Sequence, residues 1–299
     1  MDGILNIYKE KGFTSHDVVA KLRGILKMKK IGHTGTLDPN AVGVLPVCLG
    51  KATKVCDLLT DKKKTYEAVL KLGVETDTQD MTGTILAEAE VLADEETIRE
   101  TVLSFLGAYA QIPPMYSALK VNGRKLYELA REGKVIERRP REVFLYQMEI
   151  HSIDMEKKEV CMSVECSKGT YIRTLCHDIG QKLGCGGAMS ELKRTKVDCF
   201  EVSESLTLEQ VEKLVKEGKI EEYVKKPDSL FTHLRSVSVL PEYQKYVDNG
   251  NKLLNKQLSE SIKFNKAEQV RVYDAANRFI GIFEHEGAGN LKPVKLFFI

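Results

Sequence analysis

Between Gly32 and Lys54 the chain reads GHTGTLDPNAVGVLPVCLGKATK, and Asp38 is the one acidic residue in it. Over the wider stretch Val18–Cys56, Asp38 is still the lone carboxylate, among seven lysines and arginines. An aspartate before proline commonly forms a turn, its side chain accepting hydrogen bonds from nearby amides. Three features point further. Gly32, Gly35, Pro39, Gly43 and Pro46 stiffen the segment, which suits a group held in one place. Positive surroundings without acidic neighbours favour the ionised carboxylate near neutral pH. His33 adds a planar side chain to the same loop. An ionised aspartate with no metal ligands and no partner serine suggests covalent or electrostatic work at an electron-poor carbon. A sugar C1′ is the common case. A conventional glycosidase would use two carboxylates, whereas this loop offers one, and a second group is not obviously an acid.

Other chemistries fail on spacing. Gly50-Lys51 lacks a phosphate loop's pattern, because position 45 is leucine and position 52 alanine. Gly184-Cys185-Gly186-Gly187 is not G-x-G-x-x-G, since position 189 is methionine. There is no G-x-S-x-G and no H-E-x-x-H. The seven cysteines are scattered without a C-x-x-C pair, which argues for reduced, mostly buried thiols and against zinc or a disulfide framework.

The elements that would position Asp38 follow from periodicity. Thr14–Lys27 reads as a helix capped by Thr14 or Ser15, with Val18, Val19, Leu22, Ile25 and Leu26 as its apolar stripe. Gly32–Gly50 reads as a loop. From Tyr66 the period becomes two: Tyr66, Ala68, Leu70, Leu72 and Val74 share one face of a half-buried strand. Asp94–Leu106 reads as a helix with Asp94 as cap and Gly107 as stop. Val160, Met162, Val164 and Cys166 alternate as a strand that turns at Ser167-Lys168-Gly169. A helix then runs from about Tyr171 to Leu183, with Thr170 as its expected cap and Gly184 beyond its end. After a lysine-rich connection near Lys225–Leu234, Val270/Val272, Ile280/Ile282 and Val294/Leu296/Phe298 suggest a small β domain, with a turn at Asp274–Arg278. Strands and helices mix without regular βαβ alternation, so the class is α+β.

At 299 residues, 42% hydrophobic and 29% charged, the chain suits one large domain and a small one. No apolar run approaches a membrane span, and the N-terminus lacks a signal-peptide layout, so a cytoplasmic location with no membrane partner is expected. The net charge of +2 says little, but its distribution says more. Lys120–Arg141 holds eight basic and three acidic residues, and Lys168–Lys196 six against two. Such blocks hint at a basic face for a polyanion.

More specific is a set of ordered motifs. Gly32-His33-Thr34-Gly35-Thr36-Leu37-Asp38-Pro39 continues through Ala41, Gly43, Leu45-Pro46, Gly50 and Ala52-Thr53-Lys54. Lys64-x-Tyr66 follows, then Gly73-x-x-Thr76-Asp77-Thr78-x-Asp80-x-x-Gly83. Next come Gln111-x-Pro113-Pro114-x-Tyr116-Ser117-Ala118-x-Lys120, with Gly123, Tyr127, Ala130-Arg131 and Gly133. Last is Gly169-Thr170-Tyr171-Ile172-Arg173-Thr174, with Asp178, Gly180 and Leu183-Gly184. Together, over residues 5–200, they resemble the TruB-type tRNA pseudouridine synthases. Departures are Glu10 for an expected proline, Ala188 for histidine, Lys193 for arginine and Asp198 for glycine. None of these touches the Asp38 loop.

The resemblance implies a pseudouridine-synthase fold, with a mixed, mainly antiparallel central sheet flanked by helices and a small C-terminal β-barrel of PUA type. It places the catalytic domain at 1–232, with a thumb-like RNA-binding insertion at about 120–150, and the PUA-like domain at 235–299. It implies isomerisation of uridine 55 in the tRNA T loop, by base flipping and without metal or other cofactor. Asp38 would be the catalytic aspartate, attacking C1′ or promoting elimination to a glycal. Tyr66 would pack on the base and accept a proton, and Arg173 would pair with Asp38. His33 would occupy the disrupted T loop. Tyr171, Leu192, Asp80 and Lys64 complete the expected substrate contacts. The tRNA T arm is the expected partner and a monomer the expected state. Alternatives are a guide-RNA-dependent synthase, a non-catalytic RNA-binding or RNA-folding protein on the same scaffold and, more distantly, a nucleoside hydrolase.

Overall fold

The computed structural model describes residues 1–297. β1 (Gly3–Lys9) leads into α1 (Ser15–Leu26), β2 (Ile31–His33) and β3 (Val42–Leu49). Thr14 and Asp17 close a reciprocal capping box at the start of α1, and Lys27 ends the helix in the left-handed region at φ 51°. Val18, Val19 and Leu22 of α1 pack against Leu5, Ile7, Leu45 and Val47 of β1 and β3.

The expected loop over 32–50 is in large part a strand. Residues 43–49 are buried, so the segment shows a continuous apolar run where a half-exposed strand would alternate. Pro46 is tolerated within it because the amide hydrogen it lacks would face Thr34. The Thr34 carbonyl is taken instead by Thr60 Oγ1 at 3.0 Å. The true loop is 34–41.

After α2 (Cys56–Thr60), β4 (Lys64–Leu72) alternates buried and half-buried residues as its period requires. Gly73, at φ 82°, ends it, so Val74 belongs to the hairpin β5 (Val74–Thr76) and β6 (Ile85–Glu88). Helix α3 (Glu95–Leu103), capped by Asp94, ends before the expected Leu106, and Gly107 opens β7 (Gly107–Gln111). A small unit follows, made of β8 (Lys120–Val121), β9 (Arg124–Lys125) and α4 (Leu126–Arg131) over a core of Met115, Leu126 and Leu129. The insertion expected at about 120–150 is shorter than that. Residues 141–150 lie in β10 (Arg141–Asp154), a strand of the main sheet.

β11 (Glu159–Cys166), α5 (Ile172–Lys182), β12 (Gly187–Val197), β13 (Phe200–Glu201) and α6 (Leu208–Lys216) complete the larger part. The main sheet runs β1-β3-β12-β4-β11-β10-β7, with β2 beside β3 and β13 beside β12. Its neighbours are antiparallel except the parallel pair β3 and β12. Asp198, where a glycine was expected, holds φ 52° in the turn from β12 to β13, which explains why glycine suits that position.

The C-terminal part comprises β14 (Arg235–Ser238), α7 (Gln244–Asp248), β15 (Leu253–Leu254), β16 (Gln269–Tyr273), β17 (Phe279–Gly287) and β18 (Asn290–Leu296). The strands form a curled half-barrel in the order β14-β16-β17-β18-β15, consistent with the small PUA-like β-barrel domain expected. Val270, Val272, Ile280 and Ile282 are buried as their alternation requires, whereas Val294 is exposed and Phe298 lies outside the described residues. Phe231, Phe279 and Phe297 share a cluster with Val44, Cys48 and Phe200, joining the half-barrel to β3 and β13. No helix among the described residues is long and apolar enough to cross a membrane.

Candidate active site

Every carbonyl from Thr34 to Pro39 accepts a hydrogen bond, and that is what holds Asp38. Thr60 Oγ1 reaches the Thr34 carbonyl, Arg194 those of Gly35 and Thr36, and Ser15 that of Leu37. The Ala41 amide donates to Asp38, and the Gly12 amide and Lys9 Nζ donate to Pro39. Ser15 Oγ also accepts from the Leu37 amide at 3.0 Å. Lys9 is 0% exposed, and its ammonium donates to Glu10, Phe13 and Pro39 carbonyls. Burial lowers its pKa to about 8, partly offset by the attraction of Asp38.

Arg173, in the first turn of α5, brings its guanidinium to Asp38, Nε lying 3.0 Å from Oδ2. Its side chain is 7% exposed and that of Asp38 41%, so a buried cation orients a carboxylate that solvent and substrate can reach. The other arginine nitrogens are fixed as well. Nη1 donates to the Thr78 carbonyl at 3.2 Å and Nη2 to that of Tyr116 at 2.9 Å. Asp80, expected among the substrate contacts, faces Arg173 Nη1 at 3.5 Å with one oxygen. Its other oxygen accepts from Thr78 Oγ1 and from the Thr82 amide and hydroxyl.

Tyr66 lies on the buried face of β4 in the same apolar cluster as Leu37 and Ile172, with Leu192 of β12 packed against it. Burial pushes its hydroxyl pKa up, opposed by the charge of Arg194. Tyr171, half-buried, is the cap residue of α5. Thr170, expected there, donates instead to the Ser167 carbonyl. Burial raises the Tyr171 pKa too. His33 stands at the rim, edge-on to His16 at 5.3 Å between centroids, its Nδ1 accepting from the Gly35 amide at 3.3 Å. Burial, His16 and Arg194 all lower its pKa, favouring the neutral ring.

Lys64 is drawn away from the open side. Its buried ammonium donates to the Thr60 and Lys62 carbonyls at 2.6 Å each, closing the turn after α2, and burial lowers its pKa to about 8. Asp38, Tyr66, Arg173, Asp80, Tyr171, Leu192 and His33 thus surround one region, with Lys64 at its margin. Sequence reasoning gave no place in the site to Lys9, Ser15, Arg194 or Gln111. Gln111, 1% exposed, clamps Tyr171 through both its carbonyl and its amide. Its place at the head of the Gln111–Lys120 motif was the available signal. Lys9 and Arg194 read as ordinary surface cations, and only burial reveals them. Among the described residues no cluster of histidine, cysteine and carboxylate side chains is arranged to hold a metal ion.

Residues 23–172 match the TruB family pseudouridylate synthase N-terminal domain, and 173–237 the tRNA pseudouridylate synthase B C-terminal domain. Residues 236–297 match the C-terminal region of pseudouridine synthase II TruB. A tRNA pseudouridine synthase B of Lachnoclostridium phytofermentans is 53% identical, covering 99% of this chain and 100% of its own. One of Clostridium kluyveri is 46% identical over the same shares. Among solved structures, a Cbf5–Nop10–Gar1 complex matches at 29% identity and a TM-score of 0.72, covering 99% of this chain and 84% of that one. An H/ACA RNP bound to a substrate RNA containing 2′-deoxyuridine matches at 26% and 0.72 with the same coverage. The chain belongs to the TruB family of pseudouridine synthases.

Proposed function

We propose that this protein isomerises uridine to pseudouridine at position 55 in the T loop of tRNAs, as a stand-alone monomeric enzyme of the cytoplasm acting without cofactor. The observation that carries the reading is the Asp38 carboxylate, reachable from solvent yet fixed by Arg173 at 3.0 Å in a loop with every carbonyl engaged. A group held so firmly suits attack at one carbon of a flipped nucleotide.

In this reading the N1–C1′ bond breaks with Asp38 either bonding to C1′, to be displaced when C5 attacks, or promoting loss of the C2′ proton to give a glycal, which regains that proton when C5 attacks. Uracil turns, C5 joins C1′, the C5 proton leaves and N1 regains one, so the sum is an isomerisation. Arg173 keeps Asp38 aimed, and Asp80 acts through Arg173. Tyr66 offers a flat surface to the base and takes the C5 proton. Tyr171 and Leu192 line the pocket, and neutral His33 fills the gap that the flipped base leaves. Lys64 acts by ordering the turn that enters β4. The unit around α4, with its exposed Arg131 and Arg139, grips phosphates, and the half-barrel from Arg235 onward adds a second RNA contact. Identity of 46–53% to tRNA enzymes, against 26–29% to the Cbf5-type chains, favours tRNA over a guide RNA.

The test uses an unmodified T-arm stem-loop, the purified wild type and Asp38→Asn, with pseudouridine read by carbodiimide adducts and primer extension. We expect the wild type to convert the single T-loop uridine without guide RNA. Asp38→Asn should lose at least about 10⁴-fold in rate while binding stays within about threefold. A wild type that binds but does not convert would point to a guide-dependent enzyme or a binding protein.

A further inference from the structure

Arg194 stands where the three strands of the site meet. On β12 it pairs with Tyr66 of β4 on one side and with Gly43 of β3 on the other. The approach to β3 is so close that a Cβ on Gly43 would lie 2.2 Å from the Arg194 carbonyl oxygen. The side chain is 1% exposed. Its Nε donates to the Val44 carbonyl at 2.7 Å, Nη1 to Thr36 at 3.4 Å and Nη2 to Gly35 at 3.2 Å. Among the described residues no carboxylate pairs with it. One residue therefore ties both ends of the Asp38 loop, through its guanidinium, to the strand that carries Tyr66, through its backbone.

A buried cation without a counter-ion is costly, and neutral donors could satisfy three carbonyls at less cost. A permanent positive charge there, fixed by a planar fork, needs a further reason. The direction of its influence supplies one. It opposes the burial that pushes the Tyr66 hydroxyl up, and it helps keep His33 neutral.

We propose that Arg194 is a positioning residue of the isomerisation, fixing the Asp38 loop against the Tyr66 strand and supplying the charge that lets the Tyr66 oxygen accept a proton. This deepens the reading given above and rests on it. Arg194 acts through Asp38 and Tyr66 and touches no reacting atom.

The test measures single-turnover conversion of the T-arm stem-loop at saturating enzyme from pH 6 to 9.5. Wild type, Arg194→Gln and Arg194→Lys are compared, with RNA affinity and thermal unfolding followed in parallel. For Arg194→Gln the expected loss is about 100-fold in rate with affinity held within about threefold. The alkaline rise of the rate should also move up by about one pH unit. Arg194→Lys keeps the charge and loses the fork, so its rate should fall about tenfold with the rise in its wild-type position. A purely structural role would lower the unfolding temperature without moving the pH profile. That outcome, or a wild-type rate flat with pH, overturns the proposal. Should Arg194→Gln fail to fold, Arg194→Lys decides the matter, and a rate within twofold of wild type overturns it. A wild type that converts no uridine removes the underlying reading instead, before any variant is compared.

Discussion

The Asp38 loop and the unit around α4 are both glycine-containing, positively charged excursions from the main sheet, yet they are held in opposite ways. In the first, Lys9, Arg173 and Arg194 are buried, and their donors are spent on backbone carbonyls and the facing carboxylates. In the second, a small core of Met115, Leu126 and Leu129 is flanked by partly buried Leu119, Val121, Ala130 and Ile136, and the charges of Arg124, Glu132 and Lys134 pair with each other at the surface. Exposed pairs of that kind contribute little to stability. Chemistry at a single carbon demands fixed geometry, whereas gripping an RNA backbone tolerates and even benefits from adjustment. Cations inside the first region should therefore control rate, and cations on the second should control affinity.

The largest effect that separates the two regions is expected from Arg173→Lys. A lysine keeps the charge but cannot serve Asp38, Asp80 and the carbonyls of Thr78 and Tyr116 together. Single-turnover conversion should drop about 10²- to 10³-fold with T-arm affinity nearly unchanged. Exposed Arg139 should show the converse. Arg139→Ala should weaken binding about three- to tenfold near physiological salt and lower the salt slope of log K by about one, with the saturated rate intact. A rate loss at Arg139, or an affinity loss at Arg173, would break the comparison.

Much of this division was legible in the sequence, and the illegible part has one physical origin. Asp38, Tyr66 and Arg173 sit in dense motifs, and the alternation through Tyr66, Ala68, Leu70 and Leu72 gave β4 directly. The strand Val42–Leu49 escaped because a segment buried on both faces does not alternate, and because its proline and glycines resemble a loop. Pro46 and Gly43 are there because of contacts distant in sequence, with Thr60 through Thr34 and with Arg194. The same holds for the cations. Nothing local separates Arg194, buried, from Lys193, which pairs with Glu67 on the other face one residue earlier. The half-barrel was readable from Val270, Val272, Ile280 and Ile282, but its open form depends on pairing that periodicity does not encode.

The smallest effect sharpens the comparison at its edge, where the fixed loop meets solvent. His33 has its pKa lowered by burial, by His16 and by Arg194, so folding favours the neutral ring. A base whose folded pKa is depressed contributes fully above its unfolded value of about 6.5, and the contribution fades as pH falls below it. Between pH 7.5 and 5.5 the wild type should lose up to about 1 kcal/mol, or a few degrees of unfolding temperature, that His33→Gln does not lose. The ring is partly exposed, so screening keeps the effect this small. Thermal unfolding of both proteins across that range tests it. A parallel decline in the two would mean that the titrating group lies elsewhere and that His33 is free at the rim. A decline confined to the wild type would extend the fixed region outward, through the Gly35 amide that His33 accepts from, to the residue proposed to enter the RNA.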